Sequence, residues 1–164
     1  MVRKIIVGIG VTVVVLVLYT AVGHAADRVY TEDDTELIAR VVYAEARGES
    51  FEGKVAVAEV VMARYESGEF GDSLTRITRR SQFCKASAKT VSKPKNAAVY
   101  AECLAAVQYA IDNEVLPDNA YYFQRANRAH WRGRPSIIRY TTIGDHTFYT
   151  AGEAVTNDEE EARG

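Results

Sequence analysis

Two cysteines and three histidines are all that 164 residues offer in thiol and imidazole metal ligands. His130 and His146 lack zinc-type spacing and no Cys/His cluster stands beside either, so no metal centre is expected and no cofactor is implied. A charge excess is lacking too. The formal net charge is −2 and the pI is near 5.9, which gives no global reason to expect nucleic acid or another polyanion as partner. There is no internal repeat, which excludes repeat architectures and tandem wall-binding modules. What remains is ordinary globular composition, 48% hydrophobic and 26% charged, enough for one compact domain expected to act as a monomer.

Arg3 and Lys4 precede an almost unbroken apolar stretch from Ile5 to Val22, followed by Gly23, Ala25 and Ala26. This is the layout of an export signal, with cleavage after Ala25 leaving a chain that starts near Ala26. The stretch is also long enough to cross a bilayer as an uncleaved anchor. In both readings the basic end stays inside and the domain is exported to the periplasm or wall, touching the membrane only through residues 1–26. In an oxidising compartment Cys84 and Cys103 could form a disulfide worth roughly 3 kcal/mol, or remain two buried thiols.

The domain is expected over residues 27–150, with an acidic, disordered tail at 151–164. Thr31 and Asp34 have capping-box spacing, so a first helix should run to about Arg47 and stop at Gly48. A second fits Glu52 to about Glu66. There Glu52, Ala56, Glu59, Ala63 and Glu66 share one stripe, away from Val55, Val57, Val61 and Met62, so Glu59 is expected to face solvent. Ser73 to Arg79 could form a short helix. A third long helix fits Asn96 to about Asn113, with Ala97, Tyr100, Leu104, Val107 and Ile111 on its apolar side. Tyr121–Phe123 and Thr147–Tyr149 have β-type composition.

Within the first helix, Ile38, Val41, Val42 and Glu45 follow the spacing i, i+3, i+4, i+7, opposite Glu36, Arg40, Tyr43 and Arg47. A carboxylate therefore sits on an apolar stripe. Burying it without a partner is costly and the usual response is a raised pKa, which suits a general acid. Periodicity alone equally allows Glu45 to turn back to solvent at the helix end or to pair with an arginine.

The segment LIARVVYAEARGESFEGKVAVAEVVMAR closely resembles the opening of the cell-wall hydrolase family that includes the spore-cortex-lytic enzymes (SleB/CwlJ type). Ser81-Gln82-Phe83, Tyr121-Tyr122-Phe123 and Ile143-Gly144-Asp145-His146-Thr147-Phe148-Tyr149 resemble later family segments in the same order. The resemblance spans about Thr35 to Tyr149. It implies a small lysozyme-like α+β fold, mainly helical with a small antiparallel sheet near the C-terminus, acting on peptidoglycan. It also implies that the first glutamate of AEARGE, here Glu45, is the single catalytic carboxylate. Glu49 falls after Gly48 and is expected to brace the loop rather than perform chemistry. A lone glutamate suits lytic transglycosylation. Hydrolysis would need a second carboxylate held roughly 5–9 Å away, for which Asp145, Glu49 or Asp118 could approach.

A sugar site also needs flat apolar faces and polar partners. Tyr121, Tyr122 and Trp131 are candidate platforms, although strand alternation could leave only one of the two tyrosines exposed. Ser81 and Gln82 are candidate hydrogen-bonding partners. His146 is a candidate for orienting a loop at the substrate. A Ser81–His146–Asp145 triad is rejected, because adjacent Asp and His cannot readily take base-plus-orienter geometry. Arg76 to Lys95 and the arginines from Arg125 to Arg139 are basic. Such runs usually form a solvated face, and they also motivate a rival class, a non-catalytic envelope-binding module. A third reading, a metal-dependent amidase cutting the stem peptide, finds no convincing metal site.

Overall fold

The computed structural model describes residues 29–79, 83, 94–128 and 136–152. Among these the chain forms helices α1 (Glu32–Ala46), α2 (Phe51–Ser67), α3 (Leu74–Ile77) and α4 (Ala97–Asp112). Strands β1 (Tyr122–Arg125), β2 (Ile137–Ile143) and β3 (His146–Ala151) follow. The architecture is α+β, as expected. Residues 1–26, the basic run from Lys85 to Lys93, and Cys84, Ser81, Gln82 and Trp131 lie outside the described residues.

Local chemistry sets the helix boundaries. The Thr31 hydroxyl accepts the Asp34 N–H at 3.2 Å, while the Asp34 carboxylate accepts the Thr31 N–H at 3.0 Å. This is a reciprocal capping box, and Glu32, Asp33 and Asp34 add negative charge at the positive end of the helix dipole. Ser50 caps α2 by accepting the Gly53 N–H at 3.3 Å. Asn96 caps α4 by accepting from Ala98 and Val99. Gly48 does not supply the expected left-handed stop: Arg47 ends α1 in the right-handed region. The left-handed cap belongs to α2, where Gly68 has φ 71°.

The interior consists of α1, α2 and α4 packed against one another, with Ile77 of α3 and Phe148 of β3 closing the core. Helix α2 is buried continuously from Gly53 to Arg64. This overturns the solvated stripe expected for Glu59, which is only 8% exposed. Its two oxygens accept the backbone N–H groups of Val115 and Leu116, both at 2.7 Å, so it closes the connection that follows α4. Lys54, also buried, donates to the Glu49 carbonyl at 2.8 Å and to Glu102 at 3.0 Å. Tyr43, expected on the outer side of α1, is buried, and its hydroxyl accepts the N–H groups of Lys95 and Asn96. On the expected apolar side of α4, Val107 is fully buried and Tyr100, Leu104 and Ile111 pack partly buried against the core; Cys103, Ala106 and Ala110 complete the buried face, while Ala97 is exposed. Small residues there let the helices approach closely.

The sheet has the order β1-β3-β2, antiparallel throughout. Tyr122 pairs with Tyr149, Phe123 with Phe148, and Ile143 with His146. Strand β2, with its β-branched run, had no counterpart among the expected elements. Its register shifts between Arg139 and Thr141. Gly144 makes the β2–β3 turn with φ 55°. Strand β3 runs to Ala151, one residue into the expected tail, and 153–164 lie outside the described residues.

Candidate active site

Glu45 sits in the last turn of α1, half-buried rather than enclosed. Two basic side chains feel its charge: Arg64 near the end of α2 and His146 at the start of β3. The three elements that converge on this point come from both halves of the sequence.

Arg64 is the residue that sequence reasoning missed. It is 6% exposed, and its Nε donates to the Tyr121 carbonyl at 2.7 Å, tying α2 to the entry of β1. Its guanidinium carbon lies 5.0 Å from the Phe70 ring centroid, 4.9 Å from that of Phe83 and 5.8 Å from that of Tyr122. Desolvation pulls its pKa down to about 10, opposed by Tyr122 and Glu45, so it remains a cation at any physiological pH. A signal was present: Val57, Val60, Val61 and Arg64 repeat the i, i+3, i+4, i+7 spacing that marked Glu45.

His146 is 6% exposed and packs edge-on to Phe123, with ring centroids 5.1 Å apart. Burial lowers its pKa, an effect opposed by Glu49, Glu45 and Asp145 and reinforced by Arg125. Its Nδ1 lies 3.8 Å from Glu49 Oε1, beyond hydrogen-bond range, and has no hydrogen-bond partner among the described residues.

Glu49 faces inward, its side chain 13% exposed. Its Oε2 accepts the Asp145 N–H at 2.9 Å and thereby ties the end of α1 to the β2–β3 turn. A Cβ at Gly144 would overlap that same oxygen, so the approach requires glycine. Tyr122 borders Arg64 and packs edge-on against Phe70 at 6.0 Å, next to Tyr121. Tyr121 is half-buried and packs 5.2 Å from Phe70. Asp118 instead lines a separate cleft of about 310 Å³ between α2 and α4, with Glu59 and Glu66.

Cys103 is a free, fully buried thiol, its pKa pushed up to about 11 by burial. Cys84, the partner considered for a bridge, lies outside the described residues. Among the described residues no group of His, Cys, Asp and Glu could hold a metal ion.

A family model described as Cell Wall Hydrolase matches residues 48–149. The chain belongs to the cell wall hydrolase family. The matched range begins just after Glu45 and contains Glu49, Arg64 and His146. The spore cortex-lytic enzyme of Bacillus subtilis is 33% identical over 125 residues, covering 73% of this chain and 38% of that enzyme. That of Oceanobacillus iheyensis is 46% identical over 48 residues, 29% of this chain and 17% of that enzyme. The chain thus spans well under half the length of these relatives. Among solved structures, the catalytic domain of the Bacillus cereus SleB protein superposes with a TM-score of 0.63 at 27% identity, over 78% of this chain and 99% of that domain. The catalytic domain of the germination-specific lytic transglycosylase SleB from Bacillus anthracis gives 0.61 at 27% identity, over 75% and 98%. The family's fold accordingly accounts for nearly all the architecture described above.

Proposed function

We propose that the protein is a peptidoglycan-degrading enzyme that cleaves glycan strands by lytic transglycosylation, with Glu45 as its catalytic acid and base. One observation supports the single-carboxylate mechanism: Glu49, the nearest rival in sequence, commits one carboxylate oxygen to the Asp145 amide and so serves to hold the β2–β3 turn. In the first step the protonated Glu45 gives its proton to the glycosidic oxygen as the C1–O bond breaks, leaving an oxocarbenium-like sugar and a Glu45 carboxylate. In the second, that carboxylate takes the proton of the sugar's C6 hydroxyl while the C6 oxygen bonds to C1. The product is a 1,6-anhydro-muramic end, and Glu45 recovers its proton. Buried Arg64 offers a fixed positive charge to the carboxylate between the two steps.

Tyr122 and Tyr121 remain candidate sugar platforms beside Arg64, with Ser81, Gln82 and Trp131 proposed as further contacts. Action on the wall requires export, the role read for residues 1–26. Among the described residues no helix is long and apolar enough to cross a membrane.

The test is Glu45→Gln applied to purified peptidoglycan, with products read by mass spectrometry. Wild-type protein should release anhydro-muramic ends and the variant should release none while keeping its thermal midpoint within a few degrees. Reducing muramic ends would instead mean hydrolysis, and free stem peptides an amidase. Salt-dependent wall binding that persists in the variant, with no product from wild type, would mean a binding module. Wild-type lysis by Glu45→Gln would sink the assignment.

A further inference from the structure

The cleft that holds Glu59 lies on the side of α2 turned away from the candidate active site. Glu59, Met62, Ala63 and Glu66, spaced i, i+3, i+4, i+7, line it, whereas Arg64 belongs to the stripe of Val57, Val60 and Val61. The other wall is the last turn of α4, with Ala110 and Ile111, and the connection beyond it, with Leu116 and Pro117. This cleft of about 310 Å³ therefore sits at the C-terminal ends of two helices, where unpaired carbonyls give each helix its negative pole. A lysine, arginine or histidine is the usual answer at such a pole. The last turn of α4 has no basic residue. Instead Asp112, Glu114 and Asp118 stand exposed around Glu59 and Glu66, and among the described residues no Lys, Arg or His lines the cleft.

Closing the connection after α4 accounts for Glu59 alone, since its bonds to Val115 and Leu116 need one carboxylate and no company. Glu114 works against it, adding like charge to the burial that already disfavours the ionised form. Like charges gathered at two negative helix poles repel one another, and a cation from outside relieves them. A metal ion is not that cation, because among the described residues no group of His, Cys, Asp and Glu could hold one. The floor is apolar, built from Met62, Ala63, Ala110, Ile111 and Leu116, and the rim continues into exposed apolar side chains. Val115 stands exposed between Glu114 and Leu116. Tyr109, whose carbonyl accepts from Asn113 of the cleft, is exposed and packs edge-on with exposed Phe51 at 5.8 Å. We propose that this cleft docks a basic segment of a partner protein: a lysine stem lies on the apolar floor with its ammonium among the carboxylates, and apolar neighbours cover Val115 and Tyr109. Charge steers the encounter and the apolar fringe holds it. A partner docked there leaves the Arg64 side of α2 open to glycan.

The probe is an acetylated and amidated peptide, Val-Leu-Lys-Val-Lys-Leu, titrated into the full chain labelled with ¹⁵N at pH 7. Amide shifts should concentrate at residues 59–66 and 109–118, and binding should weaken about tenfold between low salt and roughly 0.3 M salt. Asp112→Asn combined with Glu114→Gln changes two exposed rim positions, so the fold is not at stake. That variant should bind the peptide about tenfold more weakly while wall lysis and the thermal midpoint stay at wild-type values. An ammonium beside Glu59 favours its carboxylate, so docking at pH 7 should release protons, measured by calorimetry in buffers of different ionisation enthalpy. Glu59→Gln should abolish that release, and docking of the wild type without it would refute the placement of the lysine. A peptide with glutamate in place of lysine should not bind. No shifts at millimolar peptide, shifts gathered around Arg64 and Tyr122, or equal binding of the glutamate peptide would overturn the proposal. Spermidine or calcium binding as tightly as the peptide would make the cleft a small-cation site, and loss of lysis in the rim variant would assign it to substrate; either result overturns partner docking.

Discussion

Glu59 is the most exposed point of the energetic reasoning, because its surroundings pull in opposite directions. Burial raises its pKa from 4.5 to about 7, while the N–H groups of Val115 and Leu116 bond the ionised form and hold it down. Glu114 adds a smaller upward push. For a carboxyl whose pKa is higher folded than unfolded, the folded state binds its proton more tightly. The stabilisation is therefore complete below the unfolded value of 4.5 and is lost as pH rises through 7. A displacement of that size corresponds to about 3 kcal/mol between pH 4 and pH 8. Replacing Glu59 by Gln removes the titration and mimics the protonated carboxyl that fills the site at pH 4, which likewise offers a single carbonyl acceptor. The expected outcome is a variant close to wild type at pH 4 and more stable than it at pH 8, by up to about 3 kcal/mol. Urea unfolding at pH 4, 6 and 8 measures the difference without interference from other titrating groups, which both proteins share. A wild-type-minus-variant difference that does not change with pH, or that moves in favour of wild type toward pH 8, would refute the argument.

Gly144→Ala tests the turn that Glu49 holds. The substitution places a side chain at φ 55°, costing roughly 1–2 kcal/mol, and drives its Cβ into the Glu49 carboxylate. The thermal midpoint should drop by about 4 °C or more, and an unchanged midpoint would show that the turn yields freely. Cys103, buried and with its thiol pushed up to about 11, should resist alkylation at pH 8 until denaturant is added. Rapid labelling of Cys103 in the native protein, located by peptide mass mapping, would contradict its placement in the core.

How much of this was legible in the sequence depended on whether the deciding interactions were local. The Thr31–Asp34 box, the Ser50 cap and the Asn96 cap are each settled within a few residues, so the three long helices lie within a residue or two of where the sequence puts them. Glu59 was misread because amphipathic reasoning assumes that one side of a helix meets water, and α2 is enclosed on all sides along its middle. Nothing near Glu59 in sequence announces the two N–H groups of residues 115 and 116 that bury it. Strand β2 escaped for a similar reason: its residues are only partly covered and it gains its identity by pairing with β3.

The candidate site shows where local and distant information meet. Periodicity finds a charged residue at the end of an apolar stripe twice, Glu45 in α1 and Arg64 in α2, with the same spacing and opposite signs. Taken one at a time, each is an anomaly with an innocent explanation at a helix end. Taken together they are complementary, since a charge on a core-facing stripe is tolerable only if something in the core answers it. The packing of α1 against α2 brings the two within reach of each other's fields. Paired exceptions to helical patterning, one acidic and one basic, were therefore a stronger pointer to the site than either exception alone, and Arg64 could have been named alongside Glu45 before any coordinate was known.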